Sequence, residues 1–228
     1  MESNTSAFVF NTAQQAFEML YLLVMKIGKE KSGTKYVKNV SVSILEPQQN
    51  LIHTPWRKWN HEYARLEWDW YKTGNRNPDM VADKAPLWNT MRNENGLVFS
   101  NYGYWWKRNN QYDKMIKMLS ENLMTRRAML VHYSPDEVED FSKDTPCNVV
   151  LNFHIDPDFK LNLTVFARSI DLVYGFCNDQ YCFSRLLMHV SKAMGPLPIG
   201  TLHYFITDLH IYEKHFELRN KYYNKPNN

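Results

Sequence analysis

The chain reads as an α/β (α+β) protein built on a mixed β-sheet packed by helices. Three observations predict this. Short β-branched and apolar runs recur along the sequence, stretches of helical periodicity lie between them, and the two kinds do not alternate strictly. The 228 residues fit one domain, residues 1–228, and suffice for a substantial core. With 44% hydrophobic residues, seven Trp and fourteen Tyr, that core is expected to be rich in aromatics.

The elements follow in order. Asn11-Thr12-Ala13-Gln14 resembles a capping box, and the apolar residues after it predict a helix to about Ile27, with Gly28 as its stop. Lys31-Ser-Gly-Thr-Lys35 predicts a polar turn, leading into a strand through Val37, Val40, Val42 and Ile44 that Pro47 ends. Trp56, Trp59, Tyr63, Leu66 and Trp70 recur at steps of three and four, one face of a helix, with Glu67 bordering the stripe. From Pro78 to Asn101 the chain reads as loop with a short helix around Trp88, and 109–123 as helix. Strands are expected at 128–133, 149–155 and 161–166, the last two joined by a turn at Asp156-Pro157-Asp158. A helix at 180–193, a strand at 202–206 and a helical end from about Tyr212 complete the chain.

Charge and cysteine content narrow the function. A net charge of +3, without a block of like charge, is too mild for a protein that coats a polyanion, so no stable nucleic-acid partner is expected. A small phosphate ligand needs only a few focused cations. Three cysteines, an odd number, argue against a disulfide framework and fit a reducing compartment. The apolar run Met19–Met25 is far short of the ~20 residues of a membrane span. No signal-peptide order opens the chain, so the expected location is cytoplasmic.

Several residues could carry chemistry. Cys147, in Thr-Pro-Cys-Asn, is either a small buried hydrophobe or a thiol nucleophile. Cys177, Cys182 and His189 have a ligand-like spacing but lack a fourth partner, so no metal is expected. Lys31, Arg126, Arg127 and Arg168 are either solvated cations or a phosphate clamp. Glu67 is either a helix-edge carboxylate or a desolvated acid suited to proton transfer near neutral pH.

In this order the motifs resemble those of the thymidylate synthase family, and within it the phage branch that hydroxymethylates deoxycytidylate. The resemblance covers most of the chain. It is strongest from Thr125 to Phe216, through Arg126-Arg127, Pro146-Cys147, Arg168-Ser169-x-Asp171, Gly175 and His210-x-Tyr212. Upstream it includes Glu67 in Glu-Trp-Asp-Trp-Tyr, Leu87-Trp88, Asn101-Tyr102-Gly103 and Lys31-Ser-Gly-Thr.

The resemblance implies a fold, a reaction and a set of roles. The fold is a single thymidylate synthase-like domain whose sheet face forms a homodimer interface. The Cys147 thiolate adds to C6 of a pyrimidine monophosphate, and C5 then takes the one-carbon unit of 5,10-methylenetetrahydrofolate. Water near Glu67 would complete a 5-hydroxymethyl product and tetrahydrofolate; hydride would complete a methyl product. Tyr102 helps remove the C5 proton. Lys31, Arg168 and Ser169 hold the phosphate, with Arg126 and Arg127 supplied across the dimer, and His210 and Tyr212 bind the sugar 3′-hydroxyl. Trp88, Asp171 and Gly175 face the folate.

The base reader selects the substrate. Uracil offers N3–H and a C4 carbonyl, which an Asn amide matches; cytosine reverses both groups and suits a carboxyl that accepts from N4 and shares a proton with N3. The family's reader lies eight residues after the Asp of Arg-Ser-x-Asp and four after the Gly, and both counts reach Asp179, next to Asn178. dCMP is therefore the implied substrate. dUMP hydroxymethylation, thymidylate synthesis, CMP hydroxymethylation and a non-catalytic nucleotide- or RNA-binding relative stand as alternatives. Three positions depart from the family's usual pattern: Asn148 replaces the His after the catalytic Cys, Asn152 replaces a Gln, and the end Asn224-Lys-Pro-Asn-Asn lacks an apolar tail.

Overall fold

The computed structural model describes residues 7–136 and 144–224, so the last four residues of the chain end lie outside the described residues. The strands are β1 (Ala7–Phe10), β2 (Lys29–Lys31), β3 (Thr34–Ile44), β4 (Met129–Val131), β5 (Asn148–Ile155), β6 (Leu161–Ala167), β7 (Ile170–Asp171) and β8 (Ile199–Tyr212). The helices are α1 (Ala13–Ile27), α2 (His61–Thr73), α3 (Asp79–Ala82), α4 (Leu87–Met91), α5 (Tyr102–Lys107), α6 (Gln111–Glu121), α7 (Cys177–Ala193) and α8 (Leu218–Tyr223).

The strands form one sheet in the order β1-β3-β8-β6-β5-β4, with β2 added to β3 and β7 to β8. It is mixed: β1 and β3, and β6 and β8, run parallel, whereas β3 and β8, and β5 and β6, run antiparallel. Alternation along the strands gives the two faces different fates. Val42, Ile44, Leu151, Phe153, Leu163, Val165, Leu202 and Tyr204 point into a core shared with Phe17, Leu20 and Val24 of α1 and Phe183, Leu186 and Leu187 of α7. The intervening residues leave Val9, Met129, Val131, Phe166 and Phe205 exposed. Phe166 and Phe205 stack there with ring centroids 5.3 Å apart.

Several boundaries differ from those read in the sequence. The cap of α1 is Thr12, whose side chain accepts from Gln15 N, while Gln15 Oε1 accepts from Asn11 N at 3.0 Å, so the box is displaced by one residue. Trp56 and Trp59 precede α2, because Lys58 has a φ of 49° and Asn60 caps the helix. Trp56 packs instead on Phe17 and Tyr21 of α1. α7 starts earlier than 180: the Asp171 side chain accepts from Val173 N and Tyr174 N, and a wide turn over Leu172–Phe176 feeds the helix. The strand expected at 202–206 runs to Tyr212, where polar Asp208 and His210 alternate with buried Leu209 and Ile211. A 3₁₀ turn, Glu213–His215, separates it from α8. β1 and α5 were not expected.

Candidate active site

Several chain segments converge at the end of the sheet. Cys147 immediately precedes β5, and Arg168 and Ser169 turn the chain from β6 into β7. Arg168 N donates to Cys147 O at 2.9 Å. Its guanidinium wraps the cysteine loop, with Nε donating to Pro146 O at 3.0 Å and Nη2 to Thr145 O at 2.7 Å, leaving Nη2 3.6 Å from Cys147 Sγ. Burial pushes the half-buried thiol up to about 11, against the opposing pull of Arg168 and with added repulsion from Asp179 and Asp144. At rest the sulfur holds its proton, and a cation stands ready beside the thiolate.

Asp179 lies in the first turn of α7, and burial raises its carboxyl to about 7 despite a hydrogen bond from Asn148. Asn148 is fully buried; its Nδ2 donates to Asp179 Oδ2 at 3.0 Å and to Tyr102 Oη at 2.9 Å. Thus the residue after the thiol touches both a carboxyl and a phenol that the sequence had marked separately. Tyr102 opens α5, which sits directly on α2: a Cβ on Gly103 would lie 1.5 Å from Tyr71 O.

Glu67, buried on α2, is raised to about 8, first by burial and then by repulsion from Asp179. Its Oε1 accepts from Tyr63 Oη at 3.1 Å, and that hydroxyl accepts from Trp88 Nε1 at 2.7 Å. Asn178 faces this acid too, and its Oδ1 accepts from Trp59 Nε1 at 2.8 Å. Glu67 and Asp179 are therefore two acids within mutual electrostatic reach that can each exchange a proton near neutral pH. Gly175 leaves room here, since a Cβ would come 3.7 Å from Asp179 Oδ2 and 3.8 Å from Asp171 Cβ.

On the other side, β8 carries His210, whose Nδ1 is 3.4 Å from Ser169 Oγ and 3.1 Å from Asp208 Oδ1; its ring meets that of Tyr212 edge-on at 5.2 Å. Lys31 is exposed at the end of β2, and Gly33, with a φ of 73°, makes the following turn. Gly33 O accepts from Glu213 N at 2.8 Å, which ties the turn to the end of β8. Arg126 and Arg127 are exposed in the turn before β4 and share no recorded contact with this cluster among the described residues. Cys177 and Cys182 are buried on α7, and the described residues contain no group of three His, Cys, Asp or Glu able to hold a metal.

Sequence reasoning missed Trp59 and Tyr63 as partners of site residues, and His132 altogether. Tyr63 was visible, four residues before Glu67 on the same helical face. His132 carried no signal: it is fully buried, its Nδ1 is 2.8 Å from Asn148 O, and its Nε2 accepts from Trp106 Nε1 at 2.8 Å.

Residues 23–227 match the family described as thymidylate synthase. Among curated proteins, the deoxycytidylate 5-hydroxymethyltransferase of Enterobacteria phage T2 is 26% identical over 86% of this chain and 83% of its own length. Its counterpart in Enterobacteria phage T4 is 27% identical over 83% and 80%. The deoxyuridylate hydroxymethyltransferase of Pseudomonas phage M6 is 27% identical over 90% of this chain and 60% of its own length.

Proposed function

The chain belongs to the thymidylate synthase family and is a folate-dependent one-carbon transferase, and on that basis we propose that its acceptor is C5 of deoxycytidylate and its product 5-hydroxymethyl-dCMP. The observation that carries the choice of base is Asp179, a carboxyl raised to about 7 and held by the amide beside Cys147. Such a group can donate its proton to N3 of cytosine and accept from the N4 amine. The neighbouring Asn178 is engaged by Trp59 and Glu67, which supports Asp179 over it as the reader.

Chemistry starts at Cys147. Release of its proton to solvent, favoured by the Arg168 guanidinium beside the sulfur, generates the thiolate, which forms a bond to C6; the displaced π electrons move towards N3, where the proton shared with Asp179 stabilises them. Methylenetetrahydrofolate would supply a one-carbon unit at the oxidation level of formaldehyde and leave as tetrahydrofolate; Trp88, Asp171 and Gly175 would line its place. Tyr102, whose Oη accepts from Asn148 Nδ2, would help remove the C5 proton. Glu67, protonated at neutral pH and backed by Tyr63 and Trp88, exchanges protons with the water that completes the product. Elimination of Cys147 then restores the double bond and frees the enzyme.

Lys31, Arg168 and Ser169 would hold the 5′-phosphate, and His210 and Tyr212 the 3′-hydroxyl. The exposed sheet face with Val9, Met129, Val131, Phe166 and Phe205 would pack against a second copy, bringing Arg126 and Arg127 to the partner's phosphate. The reaction would take place in the cytoplasm, within the host cell if the chain is phage-encoded. Among the described residues no helix is long and apolar enough to cross a membrane.

The test is to incubate the protein with dCMP, dUMP or CMP, tetrahydrofolate and formaldehyde, and to identify the nucleotide by mass. Hydroxymethyl-dCMP is the expected product. A methylated or hydroxymethylated dUMP as the main product would overturn the reading, as would absence of tritium release from C5.

A further inference from the structure

Asn148 is held from both ends. Its carbonyl oxygen accepts from His132, whose tautomer follows from the chain of donors: Trp106 Nε1–H donates to Nε2, so Nδ1 carries the proton. Burial keeps that ring neutral, its pKa pushed down to about 3, and it stacks on Tyr102 with centroids 4.8 Å apart. The side-chain amide spends both N–H groups, one on Tyr102 Oη and one on Asp179 Oδ2, while its own Oδ1 is buried without a hydrogen-bond partner. A rotated amide would turn Oδ1 against the ionised Asp179 carboxylate, acceptor against acceptor. The amide thus gives up its acceptor in order to donate twice, and that choice bears directly on Asp179.

We infer that Asn148 is a positioning residue that sets the polarity of the base reader: by donating to Oδ2 it keeps that oxygen an acceptor, so a proton on Asp179 sits on Oδ1. The carboxyl then presents one donor and one acceptor in a fixed order, the order that tells cytosine from uracil. The same amide holds the Tyr102 hydroxyl in register with the carboxyl. This rests on Asp179 reading the base, as proposed above. The other titratable groups within electrostatic reach of Asp179 are Glu67 and Tyr71 on α2, Tyr102 on α5, Cys147 before β5, Asp171 at β7, Cys177 and Cys182 on α7 and Tyr204 on β8, and among the described residues none of them donates a hydrogen bond to it.

The test compares the full-length wild type with Asn148→Leu, which removes the donor at similar volume, and Asn148→His, which restores a ring N–H. Tritium release from C5 gives kcat/KM for dCMP and dUMP between pH 5.5 and 9. In Asn148→Leu the dCMP-over-dUMP ratio is expected to fall at least tenfold. The alkaline limb set by Asp179 should move to higher pH, because the carboxylate has lost a donor. Asn148→His should recover most of both. Unchanged ratio and limb in Asn148→Leu would overturn the inference, and so would a loss that the His variant does not restore. If the Leu variant does not fold, Asn148→Ser, which keeps a single donor, should show the same changes at smaller size, and its matching the wild type would overturn the inference equally. The wild-type arm separates the two claims: preference for dUMP sinks the substrate assignment, while the limb shift, measured with whichever pyrimidine turns over, still reports on Asn148.

Discussion

Replacing Glu67 by Gln should make the protein more stable and the enzyme much slower. The carboxyl is raised from its ordinary 4.5 to about 8, chiefly by burial. Between those values the unfolded chain has released the proton that the folded chain retains. Folding therefore becomes less favourable as pH rises from about 4.5 to about 8, and levels off above. Each pH unit in that window costs about 1.4 kcal/mol, so at pH 7 the penalty is about 3 kcal/mol. Gln keeps the shape and an oxygen that accepts from Tyr63, and it does not ionise. Urea unfolding at pH 5.5, 7 and 8 should show the variant gaining up to about 3 kcal/mol at pH 7 and about 1.4 kcal/mol at pH 5.5. Its product formation should fall by ~10²-fold or more, the usual contribution of a positioned proton donor. A variant no more stable than wild type at pH 8, with an unchanged pH slope, would refute the account of Glu67 as a desolvated acid.

Asp179→Asn should lower kcat/KM for dCMP by about 100-fold or more and bring dUMP into turnover, since the amide offers the donor and acceptor that uracil needs; competition assays with both nucleotides check it. Alkylation of Cys147 by iodoacetamide should be slow at pH 7 and rise about tenfold per pH unit towards pH 10, as a thiol at about 11 requires, with Arg168→Met slower still at pH 9; a plateau below pH 8 would contradict this. Gly103→Ala should destabilise by about 2 kcal/mol or more, because its methyl has to displace the Tyr71 carbonyl and so part α5 from α2; thermal unfolding measures the loss.

The parts of the fold visible in the sequence were those where periodicity and burial agree. The apolar stripes of α1 and α6 and the alternation in β3, β5 and β6 are all of this kind. What escaped was set at a distance. β1 exists because β3 offers it a parallel edge, and the second half of β8 is a strand because β3 and β7 pair with it, although Asp208 and His210 break its apolar run. Trp56 kept the helical spacing but left the helix, since a core of Phe17 and Tyr21 received its ring. In the candidate site, Cys147, Asp179, Tyr102 and Glu67 were legible as residue types in order. Their connection was not, because it runs through Asn148 and Tyr63, whose importance lies in which neighbours folding gives them.

Strand β8 acts as a ruler. It pairs with β3 from Leu202 to Tyr212, so Thr34 is opposite Tyr212 and Tyr36 opposite His210. Glu213 N closes the ladder on Gly33 O. The spacing between the Lys31 turn and the His210–Tyr212 pair is thus counted in main-chain hydrogen bonds. Insertion of a single residue between Val40 and Thr34 would slide one end by ~3.3 Å and turn every following side chain to the opposite face. Side chains at either end can be exchanged without disturbing the ladder, whereas the length of the strand between them cannot be changed.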